Sequence, residues 1–403
     1  MESAHKSKPH YLPLDSIRGI AALSVVVHHF VLMPTFLAAF PQRPWVDWPF
    51  FRNSWLFVDL FFVLSGIVMT LSYAAPHSGD FSFREFLARR AARLYPLHLF
   101  MLVVMLMFRF LRVGLVAAGL VVAVPAAFEV NNAYSFVLNL FMLHSLGFID
   151  YLSWNGPSWS ISVEFFTYIV FGLVVFLSAR AGAKWVLSAA AALLVVAGLT
   201  TLTVVFGKSS LEVQWDFGLV RCIIGFFVGV LTAQACLRIR RSDRLALYGI
   251  LQIVACVASV VLVSLVGVWP QLSFAAPLTF AALLGSLLAF PKAAPLPRLL
   301  EWAPLVWLGR RSYSVYMVHA FVILLAEYFV RAMGPRPIAA LDTICNGLAA
   351  SLMLAIIVLA VLILSHLTYT LVEIPGGKLM NRWLLGAARF NTTRAMTSTR
   401  WQS

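Results

Sequence analysis

Arg18 and His29 lie eleven positions apart in the first long apolar stretch of the sequence. On a helix that rises about 1.5 Å per residue, this separation is roughly 16 Å. We therefore expect Arg18 near one face of a membrane and His29 near its middle. An ionisable side chain at that depth is usually kept for proton transfer, ion pairing or a polar cavity. The neighbouring His28 points about 100° away around the helix, and geometry alone does not choose between the two histidines.

Two carboxylates in other apolar stretches are candidate partners for these groups. Glu164 lies about 9 Å along a helix from Ser158, at what we assign as the outer start of a span. It could meet His29 and share a proton or orient the ring, or it could be a carboxylate stabilised by the helix start. Asp59 is simplest to explain as the partner of Arg18 or of another cation.

Arg90 and Arg93 lie in the loop expected between the second and third spans. Three residues apart, they would share one face of a helix, and two guanidinium forks could bind the oxygens of a polyphosphate. The same cluster could instead anchor the chain to lipid headgroups.

Tyr313, Tyr316 and His319 recur every three residues on a later span and so share a face. They could line the same cavity as His29, although interfacial tyrosines are often only aromatic anchors. Ordinary hydrogen-bonded roles are expected for the remaining histidines of apolar or interfacial stretches, His98, His144 and His366.

The composition places these residues in a membrane. The 403-residue chain is 61% hydrophobic and 11% charged, with mean hydropathy +0.89, so we predict an all-α polytopic membrane protein. Ten stretches approach the ~20 residues that a spanning helix needs: about 15–36, 54–74, 94–112, 158–178, 184–206, 216–237, 246–267, 271–290, 313–332 and 346–372. The stretch 113–150 is ambiguous and could add two short spans or a re-entrant piece.

The net charge of +14 does not indicate nucleic acid, because the cations fall in alternate loops, as the positive-inside rule expects. This distribution predicts that both termini are cytoplasmic. Arg109 and Arg112 are the main exceptions, since they lie towards the outer side. The predicted cytoplasmic clusters are Lys6 with Lys8, Arg84 to Arg93, Arg238 to Arg244, Lys292 to Arg311, and Lys378 to Arg400.

We expect one membrane domain over residues 1–375, followed by a basic cytoplasmic tail over 376–403. The first apolar stretch lacks a small-residue cleavage site and is interpreted as a retained helix. The four cysteines have no metal-ligand spacing, so we expect packing roles and no metal. They are Cys222, Cys236, Cys256 and Cys345.

Several motifs, in order along most of the chain, resemble the acyltransferase-3 family of bacterial integral-membrane acyltransferases. Arg18 and His29 match that family's arginine, ten residues, histidine motif, and this spacing selects His29 over His28. Ser16 departs from the glycine that is common in the family. The other motifs are 14–23, 61–66, Arg90 with Arg93, 157–164, Arg221 with Gly225 and Gly229, 308–319, Tyr369, Glu373 and Pro375.

The resemblance implies transfer of an acyl group, usually acetyl, from cytoplasmic acyl-coenzyme A to a hydroxyl group. The acceptor would be a glycan, a lipid-linked sugar or a small natural product. The expected location is the bacterial inner membrane, with the chain crossing it many times. Some relatives carry a fused esterase-like domain, and we expect none here.

The resemblance, taken with the residue chemistry, also suggests roles. Arg90 and Arg93 would hold the phosphates of coenzyme A, and Tyr316 and His319 would line the donor site. The uncharged pantetheine arm could then enter an apolar tunnel.

His29 would act as general base on the acceptor hydroxyl, oriented by Glu164, or would form a covalent acyl-histidine. Arg18 would place the donor or stabilise the thioester oxygen. The alternative function is a proton-coupled transporter or flippase, in which His29 and Glu164 form a proton relay. A membrane scaffold without chemistry would leave the deep ionisable groups unexplained.

Overall fold

The computed structural model describes residues 11–43, 47–74, 81–119, 128–183, 185–239, 245–291 and 295–386. Within these residues the regular structure is helical and contains no strand. Ten of the described helices are long and apolar enough to cross a membrane, which confirms the predicted all-α fold. They are α1 Leu12–Leu32, α2 Ser54–Tyr73, α3 Phe83–Ala117, α4 Gly156–Ala181, α5 Trp185–Val205, α6 Gly218–Arg238, α7 Leu245–Leu265, α8 Pro270–Ala289, α9 Ser312–Met333 and α10 Leu348–Leu385.

Short helices connect several of these spans. In the ambiguous stretch 113–150, α3 continues to Ala117 and one helix of eight residues follows, Ala133–Leu140. The described part of this stretch therefore adds no further spanning helix. Residues 120–127 lie outside the described part. The other short helices are Pro34–Ala39, Pro49–Arg52, Leu296–Leu300, Ala303–Arg310 and Pro335–Ile344.

Helix α3 begins eleven residues before the expected start of the third span. The Ser82 hydroxyl accepts a hydrogen bond from the Glu85 backbone N–H at 3.4 Å and caps the helix, and Arg89 pairs with Glu85 one turn on, also at 3.4 Å. Arg90 and Arg93 consequently lie on the first turns of α3, and their assignment to a loop is wrong. Arg90 and Arg93 still share one face of a helix, as the spacing predicted.

Helix α1 lies in the centre of the bundle. In both α1 and α2 the spanning window is 72% buried, whereas in α5 it is 17% buried. Small and β-branched residues on α1 allow this close packing on α2, α9 and the helix Ala303–Arg310. Because α1 ends at Leu32, His29 lies in its last turn rather than near its middle.

Helices α2 and α6 pack backbone to backbone through glycines. A Cβ at Gly66 would collide with the carbonyl of Phe226, and a Cβ at Gly229 would collide with the carbonyl of Val63. Helices approach this closely only where residues are small. The contact holds together the two helices that carry Asp59 and Arg221.

Candidate active site

Helices α1, α3 and α9 begin at the same end of the bundle. The Arg18 guanidinium on α1 donates to the carbonyl of Gly309, just before α9, at 3.0 Å. The Tyr313 hydroxyl on α9 donates to the carbonyl of Leu94 on α3 at 2.6 Å. We name this the basic end, because each of the three helices carries arginine in or beside its first turns there. The arginines are Arg18, Arg84, Arg89, Arg90, Arg93, Arg310 and Arg311.

Arg18 joins α1 to the helix Ala303–Arg310. Besides its bond to Gly309, it forms an ion pair with Asp15 at 3.2 Å, one turn away on α1. Gly19 and Gly309 allow this contact, since a Cβ on Gly19 would come within 2.6 Å of the Gly309 backbone nitrogen. Arg18 therefore fixes the geometry of the basic end and lies roughly 16 Å along α1 from His29.

His29 on α1 packs against His319 on α9. Their ring centroids are 4.8 Å apart, with an angle of 59° between the rings. His29 lies ten residues beyond Gly19 on α1, which is about 15 Å of helix, and His319 lies seven residues beyond Ser312, the first residue of α9. The close contact at the basic end thus sets α1 and α9 in register and brings the two rings together.

Hydrogen bonds define the tautomer of both rings. The Nδ1 of His29 lies 2.9 Å from the carbonyl oxygen of Val25, and the Nδ1 of His319 lies 2.6 Å from that of Tyr316. Because a carbonyl only accepts, both Nδ1 atoms must carry the proton, and both Nε2 atoms then have a lone pair. The Nε2 of His319 is buried and has no hydrogen-bond partner among the described residues. Each neutral ring therefore keeps one nitrogen that can accept a hydrogen bond.

Tyr316 connects the histidine pair to the start of α4. Its hydroxyl donates to the carbonyl of Pro157 at 3.0 Å and accepts from the Ser160 hydroxyl at 3.0 Å. The ring of Phe61 packs against Tyr316 with centroids 5.9 Å apart. The structure therefore brings the predicted Tyr316 and His319 together with His29 and with the segment that precedes Glu164.

Glu164 is bonded to a tyrosine of its own helix. The Tyr168 hydroxyl donates to Glu164 Oε1 at 2.6 Å and lies 2.9 Å from the Ser65 hydroxyl. The guanidinium of Arg90 lies 6.0 Å from the centre of the Tyr168 ring. These contacts connect Glu164 to the basic end, while the rings that pack on His29 are those of His319 and of the neighbouring His28.

Arg90 and Arg93 share a face of α3 but differ in their partners. Arg93 forms an ion pair with the buried Glu373, which also accepts from the Ser314 hydroxyl at 2.6 Å. Arg90 instead donates to the neutral Tyr73 hydroxyl at 3.3 Å. The charge of Arg93 is thus balanced within the protein, and Arg90 is the better placed of the two to bind an added anion.

Asp59 pairs with Arg221 and not with Arg18. The two side chains form a bidentate pair with distances of 3.0 and 2.7 Å, and both are buried. The Arg221 guanidinium also lies 4.9 Å from the Trp55 ring centre and 5.3 Å from that of Trp159. Since Trp159 begins the regular part of α4, this pair holds the segment that carries Glu164.

His98 and His144 form a second histidine pair, with parallel rings 5.7 Å apart. His98 Nε2 lies 2.8 Å from the carbonyl oxygen of Asn139, and His144 Nε2 lies 3.1 Å from the Ser158 hydroxyl. Burial, and to a smaller extent the nearby His98, lower the pKa of His144 to about 3. The hydrogen-bonded roles predicted for these residues are confirmed. His366 likewise accepts a hydrogen bond from Arg311 at 3.1 Å.

Five of the seven predicted site residues fall into two groups. His29, Tyr316 and His319 lie together, whereas Glu164 and Arg90 are joined through Tyr168, which was not among the predicted residues. The other two, Arg18 and Arg93, pair with Asp15 and Glu373 at the basic end. Tyr168 lies four residues after Glu164, so the helical i,i+4 rule could have identified it.

Across the described residues, no cluster of three or more histidine, cysteine or acidic side chains could hold a metal ion, and the four cysteines are free thiols.

A family model described as an acyltransferase domain matches residues 12–370. The chain therefore belongs to this acyltransferase family, as its motifs predicted. It is similar to the peptidoglycan O-acetyltransferase OatA of Listeria monocytogenes, with 23% identity over 81% of this chain and 51% of that protein. It is also similar to the O-acetyltransferase OatA of Staphylococcus aureus, with 23% identity over 85% of this chain and 56% of that protein.

The chain spans about half the length of the curated relatives it matches. No solved structure matches it significantly.

Proposed function

We propose that this protein transfers an acetyl group from acetyl-coenzyme A to a hydroxyl of a glycan or lipid-linked saccharide. The observation that carries the proposal is the contact of His29 with His319, in which both rings keep an Nε2 lone pair. Family membership supports acyl transfer over transport. The names of the relatives support acetyl as the group and a glycan as the acceptor.

The donor would bind at the basic end, which the positive-inside rule assigns to the cytoplasm of a bacterial inner membrane. Arg90 would contact a phosphate of coenzyme A, since its hydrogen bond in the structure goes to a neutral phenol. Arg93, already paired with Glu373, would support the helix face on which Arg90 lies. The uncharged pantetheine arm would extend between the helices towards His29.

His29 would act as the general base. Its Nε2 accepts the proton of the acceptor hydroxyl while the hydroxyl oxygen attacks the thioester carbonyl carbon. The carbon–sulfur bond then breaks, and the leaving thiolate takes the proton from the His29 imidazolium. The products are an acetyl ester and the free thiol of coenzyme A. His319 would position the His29 ring through their direct contact.

Arg18 would act at the donor end and not on the thioester. It lies roughly 16 Å of helix from His29 and is bonded to Asp15 and Gly309. This distance favours the first of its two predicted roles, placement of the donor. Glu164, hydrogen-bonded to Tyr168 beside Arg90, would belong to the same donor region.

The activity can be tested with purified protein in nanodiscs, acetyl-coenzyme A labelled in the acetyl group, and N-acetylglucosamine on a farnesyl anchor. We expect the label to appear on the saccharide as an alkali-labile ester, with one free thiol released per ester. Release of thiol without ester, or no consumption of the donor, would contradict the proposal. A transporter in vesicles would instead move the saccharide without changing its mass.

The donor site can be tested with two neighbouring arginines. Arg90→Gln should raise the KM for acetyl-coenzyme A roughly tenfold, because a charge-assisted phosphate contact is lost. Arg89→Gln is the matched control, since Arg89 pairs with Glu85 at 3.4 Å. An unchanged KM in Arg90→Gln would favour the lipid-anchor interpretation of this cluster.

A further inference from the structure

The connection between α1 and α2 lies beside the histidine pair, at the end of the bundle opposite the basic end. Helix α1 ends just after His29, and the short helix Pro49–Arg52 of the connection packs on α1. His28 Nδ1 donates to the carbonyl of Phe51 at 3.2 Å, and the His28 ring centroid lies 5.2 Å from that of His29. Residues of this connection therefore lie close to the proposed base.

Trp48, which precedes the short helix, has a large open aromatic surface. Its ring packs on those of Phe50 and Phe51, with centroid distances of 5.8 and 6.4 Å. The residue is nevertheless 53% exposed. Because two neighbouring rings hold the indole in one orientation, its open surface is a fixed flat platform.

An ion-paired cluster lies next to Trp48. Asp47 Oδ1 is 3.4 Å from the Arg43 guanidinium and 3.5 Å from that of Arg52. The backbone N–H of Arg52 donates to the Trp48 carbonyl at 3.3 Å, so the two residues are one helical turn apart. The Arg52 side chain is 47% exposed, and Asp47 is its one ion-pair partner among the described residues. Since a guanidinium has five N–H donors, Arg52 keeps donors for a ligand.

An exposed tryptophan at a membrane interface is usually an aromatic anchor. Trp269 fits that explanation. It is also 53% exposed, and no charged residue occurs from 264 to 274. It lies at the same end of the bundle, because Asn53 donates to the carbonyl of Ser264 near the end of α7 at 3.4 Å. Trp48 differs from it, because the exposed charge of Arg52 belongs in water and not in hydrocarbon.

We propose that Trp48 and Arg52, with Arg52 held by Asp47, form a subsite for a second sugar ring of the acceptor. The inference rests on the proposed function and names the acceptor as an oligosaccharide. A pyranose ring has a face of C–H groups that can stack on an indole, and its hydroxyls can accept from a guanidinium. With the reacting hydroxyl at His29, an adjoining sugar would extend past His28 to the Trp48 ring.

The first measurement compares two acceptors on the same farnesyl anchor, one N-acetylglucosamine and a chain of three. With labelled acetyl-coenzyme A in nanodiscs, the wild-type KM for the trisaccharide should be about threefold to tenfold lower, as expected for one aromatic stack. Trp48→Leu keeps apolar bulk but removes the flat ring, so this preference should be lost. Trp48→Phe should retain part of the preference. Arg52→Gln should lower it about threefold, because one hydrogen bond is lost.

Trp269→Leu is the matched control, since Trp269 has the same exposed fraction at the same end of the bundle. It should keep the wild-type preference for the trisaccharide. An equal loss in Trp48→Leu and Trp269→Leu would overturn the subsite and identify both residues as membrane anchors. Equal wild-type KM values for the two acceptors would also overturn it.

A binding measurement distinguishes failure of the subsite from failure of the proposed function. Calorimetry with the free trisaccharide and protein in nanodiscs needs no turnover. The Kd should rise about threefold to tenfold in Trp48→Leu and stay unchanged in Trp269→Leu. If neither acceptor is acetylated but this difference is found, the proposed function has failed and the sugar subsite stands. No binding by the wild type, or the same Kd in Trp48→Leu, would overturn the subsite.

Discussion

The two histidine pairs have similar chemistry but different surroundings. His29 and His319 have tilted rings 4.8 Å apart, and His29 is partly accessible. His98 and His144 are stacked 5.7 Å apart, with exposed fractions of 2% and 3%. In the first pair both Nδ1 atoms bond to carbonyls on their own helices, whereas the second pair bonds to neighbouring segments. Of these four rings only that of His29 is partly accessible, which is why the proposed reaction assigns the base to it.

The largest expected effect is the loss of rate when the first pair, His29 with His319, is changed. His29→Gln should lower the rate of ester formation about a thousandfold, because general-base catalysis by a positioned imidazole contributes on that scale. The double change of His29 and His319 to Gln should be no slower than the single change, because the two act as a unit. Steady-state rates at saturating donor measure both. The control is His28→Gln, which alters the adjacent ring bonded to Phe51 and should keep most activity.

A smaller effect is expected for His319→Gln alone. In its proposed role His319 positions the base, so kcat should fall about thirtyfold while the KM for acetyl-coenzyme A stays unchanged. His319→Asn, whose amide could reach the same carbonyl of Tyr316, should recover part of the rate. A loss as large as that of His29→Gln, with no recovery, would make His319 the base instead.

Glu164→Gln is expected to change the kinetics less than His319→Gln does. Its effect should fall on donor binding, as for a variant of the donor site. Glu164 bonds to Tyr168 beside Arg90, so the KM for acetyl-coenzyme A should rise about fivefold. Tyr168→Phe, which removes the same hydrogen bond, should give a similar change. A fall in kcat without a change in KM would instead support the direct orientation of His29 that the sequence suggested.

The smallest effect on rate is expected in the second pair. His144→Gln should change the rate by less than about threefold. The effect of this variant should appear in the free energy of unfolding. The pKa of His144 is about 3 in the folded protein, so below pH 6.5 the unfolded chain binds the proton more readily than the folded protein does. Wild-type stability should therefore fall by about 2 kcal/mol between pH 6.5 and pH 5, and less in the variant. Thermal unfolding in detergent measures this, and equal pH dependence would contradict it.

The spans could be predicted from the sequence because each depends on one local property, a run of about twenty apolar residues. Their boundaries were less accurate where polar residues extend a helix. The Ser82 cap and the Arg89–Glu85 pair start α3 well before its apolar stretch. The early end of α1 moved His29 into the last turn of its helix. The cytoplasmic assignment of both termini remains a prediction.

Candidate site residues could be chosen from the sequence, but most of their partners could not. His29 and His319 were both candidates, yet 290 residues separate them and only the packing of α1 on α9 joins them. The same holds for Arg93 with Glu373 and for Asp59 with Arg221, whose partners are set by tertiary structure. Residue type and spacing suggested the chemistry, and the packing of the helices determined the pairs.

The most direct test of His29 as the base is a single turnover by His29→Gln in nanodiscs, with donor binding measured on the same sample. We expect this variant to bind acetyl-coenzyme A with a Kd within about threefold of wild type, because the proposed phosphate contacts lie at the basic end. We also expect no ester above background. Ester formation within about tenfold of the wild-type rate would contradict the assignment of His29 as the base.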